Sequence, residues 1–154
     1  MAGAENADPQ VEITILVDNR AELLSSSGCA RRFNRKPLLA EHGFSALVHL
    51  RDAGARILWD AGTTTIALPE NMRRLGIDPT AITGVALSHG HLDHYAAMTE
   101  VLKAMAVEPP DWDSGSTAEE MRRWVEERPQ VPLVAHPAAF RERWVFAESG
   151  RNGC

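Results

Sequence analysis

The apolar positions of the chain fall into short runs whose period changes along its length. VEITILV, 11–17, is rich in β-branched residues and predicts a strand. The polar, Ser-rich stretch 18–36, basic at its end, has no such period and predicts a long loop. Strand character resumes over PLLAEHGFSALVHL, 37–50, around Gly43, and Asp52-Ala53-Gly54 predicts a hairpin turn into RILWD, 56–60. TTTIALPENMRRLG turns helical toward its end, with Gly76 as the stop, and GVALS, 84–88, is a short buried strand. From Tyr95 the period switches. Met98, Val101, Leu102 and Met105 stand at i, i+3, i+4 and i+7, one apolar face of a helix that Pro109 and Pro110 end. After a polar linker, 108–116, Thr117 and Glu120 have capping-box spacing before AEEMRRWVEER. VPLVA, 131–135, predicts a last strand, and Pro137 opens a last short helix, PAAFRERW. Short strands alternating with helices, without internal repeat, imply a single domain over 1–154 of mixed α/β class, α+β type.

Composition narrows the partners. The chain has 154 residues, 44% of them apolar, enough for a real core. A net charge of -5 argues against nucleic acid or an anionic membrane as a partner and leaves small molecules. Cys29 and Cys154 make no spaced framework and are expected to be free thiols in a reducing compartment. MAGAENADPQ has neither the basic start nor the apolar run of a signal peptide, and no apolar run reaches spanning length, so a cytoplasmic location is expected.

One stretch carries chemistry. ALSHGHLDHYAAM, 86–98, holds His89, His91, Asp93 and His94 where a strand gives way to a helix, a junction that lets side chains converge on a rigid scaffold. Imidazoles and a carboxylate suit zinc first, with iron or manganese as alternatives. A lone histidine after a strand is ordinarily a loop residue; four ligand-type residues in six positions point to a divalent-metal site. His89 and His91, two apart in an extended turn, are expected to face one side. Asp93 and His94, opening the next helix, are expected to point away from that pair's metal. This arrangement implies two metals roughly 3.5–4 Å apart, able to acidify a shared water to hydroxide. Asp93 is alternatively the group that orients or deprotonates that water.

SHGHLDH is the HxHxDH signature of the metallo-β-lactamase superfamily, which the chain resembles, and ILWDAG matches that superfamily's strand ending in aspartate and glycine. LLAEHGFSALV, LGIDPTAITGVALSHGHLDH and PLVAHPAAFRER look like the branch typified by 7,8-dihydropterin-6-yl-methyl-4-(β-D-ribofuranosyl)aminobenzene 5′-phosphate synthase. The resemblance runs from residue 11 to about 145. It implies an αββα sandwich with His89 and His91 on a first metal and Asp93 and His94 on a second. Asp60 is then a support holding a ligand's far nitrogen or the motif loop, or a cap on the DAGTTT turn, two roles that are compatible. Glu41 and His42, in the EHG segment, either face a substrate pocket or form a turn beside Gly43.

The chain departs from the family pattern after the motif. A complete member brings a second β-layer with a further histidine, a bridging aspartate and a last histidine. Downstream of His94 this chain offers only His136, a further candidate ligand, and no aspartate after Asp113. The expectation is therefore an N-terminal half of the sandwich. Its open sheet face would favour pairing with a second copy. Residues 108–130 are expected to be a helical insertion, either a lid or contact through Trp112 and Trp124, or a plain surface helix. Arg31, Arg32 and Arg35, in RRFNRK, either grip a phosphate-bearing substrate or are a solvated loop. Two functional expectations follow. One is a metal-dependent hydrolase cleaving an ester, phosphoester or related bond; the other is a catalytically incomplete metal-binding half-domain that serves an assembly.

Overall fold

The computed structural model describes residues 10–19 and 37–142. Five strands make one sheet in sequence order: β1 (Val11–Val17), β2 (Ser45–Leu50), β3 (Ala55–Trp59), β4 (Gly84–Leu87) and β5 (Leu133–Ala135). The first three are antiparallel neighbours, and β3, β4 and β5 run parallel. Helices α1 (Ala67–Leu75), α2 (Leu92–Tyr95), α3 (Met98–Met105) and α4 (Ala118–Glu127) fall between β3 and β5, giving the mixed α+β class the alternation implies. Among the described residues no helix is long and apolar enough to cross a membrane.

The strand expected over 37–50 begins only at Ser45. Side chains, not a neighbouring strand, take up the backbone of the preceding segment. Asn71 on α1, wholly buried, accepts from Leu39 N and donates to Leu39 O, both at 2.8 Å, and donates to Leu16 O at 2.7 Å. Asn19 Oδ1 takes the Gly43 N–H at 2.7 Å. One amide thus ties 37–44 to β1 and α1, and an irregular segment crosses a buried region with its polar groups paired.

The two faces of the sheet differ. On the inner face Leu47, Leu58 and Val85 lie in register and pack with Leu16, Leu68, Met72 and Val101, all under 9% exposed. Burying a leucine is worth roughly 2 kcal/mol, so this line attaches the sheet to α1 and α3. Leu102 corrects the expected helix face: it is 44% exposed while Val101 beside it is buried. Only Met98, Val101 and Met105 turn inward, so the apolar stripe is narrower than the spacing implies. The outer face reads in cross-strand rows as Ile15–Ala46–Trp59–Ala86–Val134, Ile13–Val48–Ile57–Gly84 and Val11–Leu50–Ala55. All twelve are apolar or glycine, and Ile13, Trp59 and Val134 are 61%, 44% and 67% exposed; among the described residues nothing covers them.

Turn and cap chemistry agrees with the sequence pattern. Gly54 N donates to Arg51 O in the β2–β3 hairpin, and Gly76 ends α1 in the left-handed conformation. PAAF closes as a 3-10 turn, Pro137–Phe140, rather than a full helix. At α4 the capping box forms in full: Thr117 Oγ1 accepts from Glu120 N at 3.2 Å, and Glu120 Oε2 from Thr117 N at 2.8 Å. Yet α4 buries none of its residues, and Trp112 and Trp124 pack edge-on against each other, ring centroids 6.3 Å apart.

Replacing Thr117 by Ala removes a cap worth about 1 kcal/mol from a helix that adds nothing to the core. Amide exchange over 118–121 is expected to accelerate about fivefold while the urea midpoint of the chain stays put. A midpoint that falls along with the exchange protection would make α4 part of the cooperative unit.

Candidate metal centre

Because β3 and β4 are parallel, their carboxyl ends open at one edge of the sheet, where side chains from successive loops meet. Asp60 follows β3 there, and Ser88 and His89 follow β4. Asp60 is 1% exposed and takes the left-handed conformation, φ 57°, a cost of roughly 1–2 kcal/mol for a residue with a Cβ. Its carboxylate accepts from Ser88 N at 2.8 Å, from Ser88 Oγ at 2.7 Å and from His94 Nδ1 at 2.7 Å. Charge-assisted hydrogen bonds contribute about 1.5–3 kcal/mol each, so three of them outweigh the backbone strain.

These contacts assign the protons. Asp60 can only accept, so Ser88 O–H and His94 Nδ1–H both point at it. With its hydrogen spent, Ser88 Oγ accepts from His89 Nδ1 at 2.9 Å. His89 Nε2 is then a lone pair, and His91 Nδ1, 2.9 Å away, donates to it. The line runs His91, His89, Ser88, Asp60, with His94 joining at the carboxylate. His94 Nε2, on the far side of the ring from Asp60, lies 3.4 Å from Asp93 Oδ2.

The backbone locks α2 onto the β3 exit. Ala61 N donates to His94 O at 2.7 Å, Ala96 N to Gly62 O at 3.1 Å and Phe44 N to Asp93 O at 3.3 Å. Two glycines permit this. A Cβ on Gly43, φ 117°, would stand 2.2 Å from Asp93 O, and one on Gly90, between His89 and His91, 1.9 Å from Ala139 O. The 3-10 turn after β5 therefore lies directly against the motif loop.

The structure brings His89, His91, Asp93 and His94 together, but not as two diverging pairs. The His94 ring stacks toward that of His89, centroids 4.1 Å apart, close to the 4.5 Å between His89 and His91. The expectation that His94 points away from the first pair is corrected: Asp60 holds it back by Nδ1. Asp93 is the residue that turns outward, its Oδ2 lying 3.4 Å from His94 Nε2 and 3.3 Å from His42 Nε2. His42, 77% exposed at its side chain, stands on the rim. The cap on the DAGTTT turn is Glu41 rather than Asp60: its Oε1 accepts from Thr63 N and Thr64 N at 2.9 and 3.1 Å. Glu41 is thereby taken up by the Thr63–Thr64 turn, which neither expectation for it named. His136 caps its own 3-10 turn, Nδ1 accepting from Ala138 N at 3.1 Å. Arg31, Arg32 and Arg35, like Cys29 and Cys154, lie outside the described residues. Ser88, the hub of the hydrogen-bond line, was not singled out by sequence; its one signal is adjacency to the first motif histidine.

As the side chains stand, no group of three or more His, Cys, Asp or Glu among the described residues is arranged to hold a metal ion. The donor chemistry nonetheless fits one. A tetrahedral zinc at ~2.1 Å from two nitrogens sets them ~3.4 Å apart, so the 2.9 Å His89–His91 contact has to open by only about half an ångström. The hydrogen shared there moves to the far nitrogen of His91, which leaves both rings neutral, the form that binds metals. Burial, then the neighbouring imidazoles of His94 and His91, lowers the His89 pKa below its ordinary value and favours its neutral form.

Residues 40–110 match the family described as the metallo-beta-lactamase superfamily. Two proteins of Methanocaldococcus jannaschii are similar to it. An uncharacterized protein is 37% identical over 91 residues, 59% of this chain and 29% of the relative. A 7,8-dihydropterin-6-methyl-4-(beta-D-ribofuranosyl)-aminobenzene-5'-phosphate synthase is 34% identical over 107 residues, 68% of this chain and 29% of the relative. The chain thus spans 29% of the length of these curated relatives. A crystal structure of a putative metallo-beta-lactamase from Thermotoga maritima is 26% identical, with 58% of this chain and 38% of that one covered and a TM-score of 0.36.

The His89 shift has a consequence for stability. Its folded pKa lies below the 6.5 it has when unfolded, so its contribution is present above pH 6.5 and lost as pH falls through the lowered value. In metal-free protein the urea midpoint is expected to drop on acidification below 6.5, and to drop less in His89→Gln. Equal pH profiles for the two proteins would contradict this.

Proposed function

We propose that this chain carries the metal-binding motif of a metal-dependent hydrolase acting on an ester, phosphoester or related bond in a small molecule. The line from Asp60 through Ser88 to His89, with His94 on the same carboxylate, carries the reading, because a carboxylate behind the imidazoles is the support that metal-binding histidines take. Superfamily members usually bind divalent metals. Here His89, His91, Asp93 and His94 would hold one or two, zinc first, with iron or manganese as alternatives. Bound there, the cation supplies acidity to a water molecule and polarisation to the bond that is cut.

The chain's own residues do the rest. Asp60 keeps His94 in one tautomer, its Nε2 presented outward. Asp93, its Oδ2 within 3.4 Å of two imidazole nitrogens, would alternatively stay off the cation and orient a water molecule or take up its proton. His42, exposed on the rim, faces the incoming ligand. The named relative is a synthase whose name includes a ribofuranosyl 5'-phosphate, so phosphate-bearing small molecules are the first substrates to try.

A second reading has its own observations. No three-donor group is assembled among the described residues, which supports a metal-binding unit whose catalysis needs ligands beyond these residues. Metal analysis of the purified chain separates the two. Hydrolysis is expected to come with one or two bound equivalents and an activity on bis(p-nitrophenyl) phosphate that His91→Ala lowers at least about 100-fold. Binding that His91→Ala abolishes, without turnover, selects the second reading. No binding at all overturns both.

A further inference from the structure

We infer that Ser88 is a positioning residue for His89 alone: its hydroxyl, tied to Asp60, keeps the imidazole hydrogen on Nδ1 and leaves Nε2 bare on the side of His91. The inference rests on the reading that the motif histidines hold a cation. Among the described residues Asp60 hydrogen-bonds His94 directly and reaches His89 only through Ser88. The acid itself is fixed from behind. Asp60 N donates to Ala86 O at 2.9 Å, and the buried Ser45 donates from Oγ to Asp60 O at 2.8 Å. One carboxylate thus serves two imidazoles by two routes, and Ser88 lies on one of them.

The hydroxyl has little freedom in this. Ser88 is exposed, yet its N–H and its O–H take the two oxygens of one carboxylate, Oδ1 at 2.8 Å and Oδ2 at 2.7 Å. A carboxylate only accepts, so the hydroxyl hydrogen lies toward Asp60 and Oγ offers lone pairs alone. His89 Nδ1, 2.9 Å away, is therefore the donor. His94 Nδ1 lies 3.5 Å from the same Oγ but 2.7 Å from Asp60 Oδ2, so its hydrogen goes to the carboxylate and Ser88 serves His89. The choice matters one contact further on. The 2.9 Å contact between His89 Nε2 and His91 Nδ1 joins two nitrogens that can each donate or accept, and nothing within that pair selects a direction. Ser88 selects it, because a hydrogen held at Nδ1 makes Nε2 the bare nitrogen. A water standing in place of the hydroxyl could donate to Nδ1 as readily as accept from it, and would leave the direction open.

Nitrogen-15 NMR of the imidazoles in the metal-free 154-residue chain, at about pH 8 where histidine is ordinarily neutral, tests this. In the parent, His89 is expected to carry its hydrogen on Nδ1. Ser88→Ala is expected to shift that hydrogen toward Nε2 with the His94 signals unmoved, and to weaken cobalt(II) binding about tenfold. Ser88→Thr, which keeps a hydroxyl, is expected to match the parent in both. A His89 hydrogen on Nε2 in the parent overturns the inference without any variant. So does a Ser88→Ala chain whose His89 is unchanged, or one whose His94 moves along with His89, the mark of a loop that has come loose. The inference and the cation reading fail separately: a parent that binds no cobalt(II) defeats the cation, while the nitrogen shifts still decide what Ser88 does.

Discussion

The carboxylate of Asp60 is the contact on which the site depends. It is buried at the end of β3, held in a backbone conformation that favours glycine, and satisfied by Ser88 and His94. Those residues belong to the exit of β4 and to α2, so one side chain joins three pieces of chain that the sheet alone only brings near. The strain is outweighed by three charge-assisted hydrogen bonds, and the surplus is what orients the histidines. An asparagine of the same shape would keep its oxygen acceptor but point an N–H where Ser88 and His94 donate, and the imidazole tautomers would no longer be set.

Around that contact the chain builds a rigid floor and a loose rim. The floor is backbone: Ala61, Gly62 and Phe44 bonded to α2, with Gly43 and Gly90 letting main chain pass within contact distance of main chain. Glu41 serves the floor by holding Thr63 and Thr64. The rim is made of side chains with room to turn, His42, His91 and Asp93. A binding site needs both, since donors anchored from below can close on an ion by small rotations without disturbing the fold.

Much of this was legible from residue pattern alone. β1 has the bounds its β-branched run implies, Gly76 and the Thr117–Glu120 box act as read, and the motif histidines do gather at a strand end. Local rules worked where local chemistry decides. They failed where a distant partner decides. Residues 37–44 look like strand but are held by Asn71, 32 positions from Leu39. Leu102 has helical spacing, yet it stays 44% exposed beside the buried Val101. His94 was expected to diverge because its helix does, whereas a carboxylate 34 residues upstream turns its ring back toward His89. Glu41 caps the Thr63–Thr64 turn and Asp60 holds Ser88 and His94, because either acid suits a cap and only the fold chooses between them.

The central claim is that Asp60 prepares these imidazoles for a cation. Titrating cobalt(II) into metal-free protein and following its visible absorption tests it most directly. A saturable band of low-coordinate nitrogen and oxygen ligation is expected, with affinity falling about 10–100-fold in Asp60→Asn while the fold is retained. A spectrum that stays that of the aqueous ion, or an Asp60→Asn protein that binds cobalt as tightly as the parent, would contradict the account.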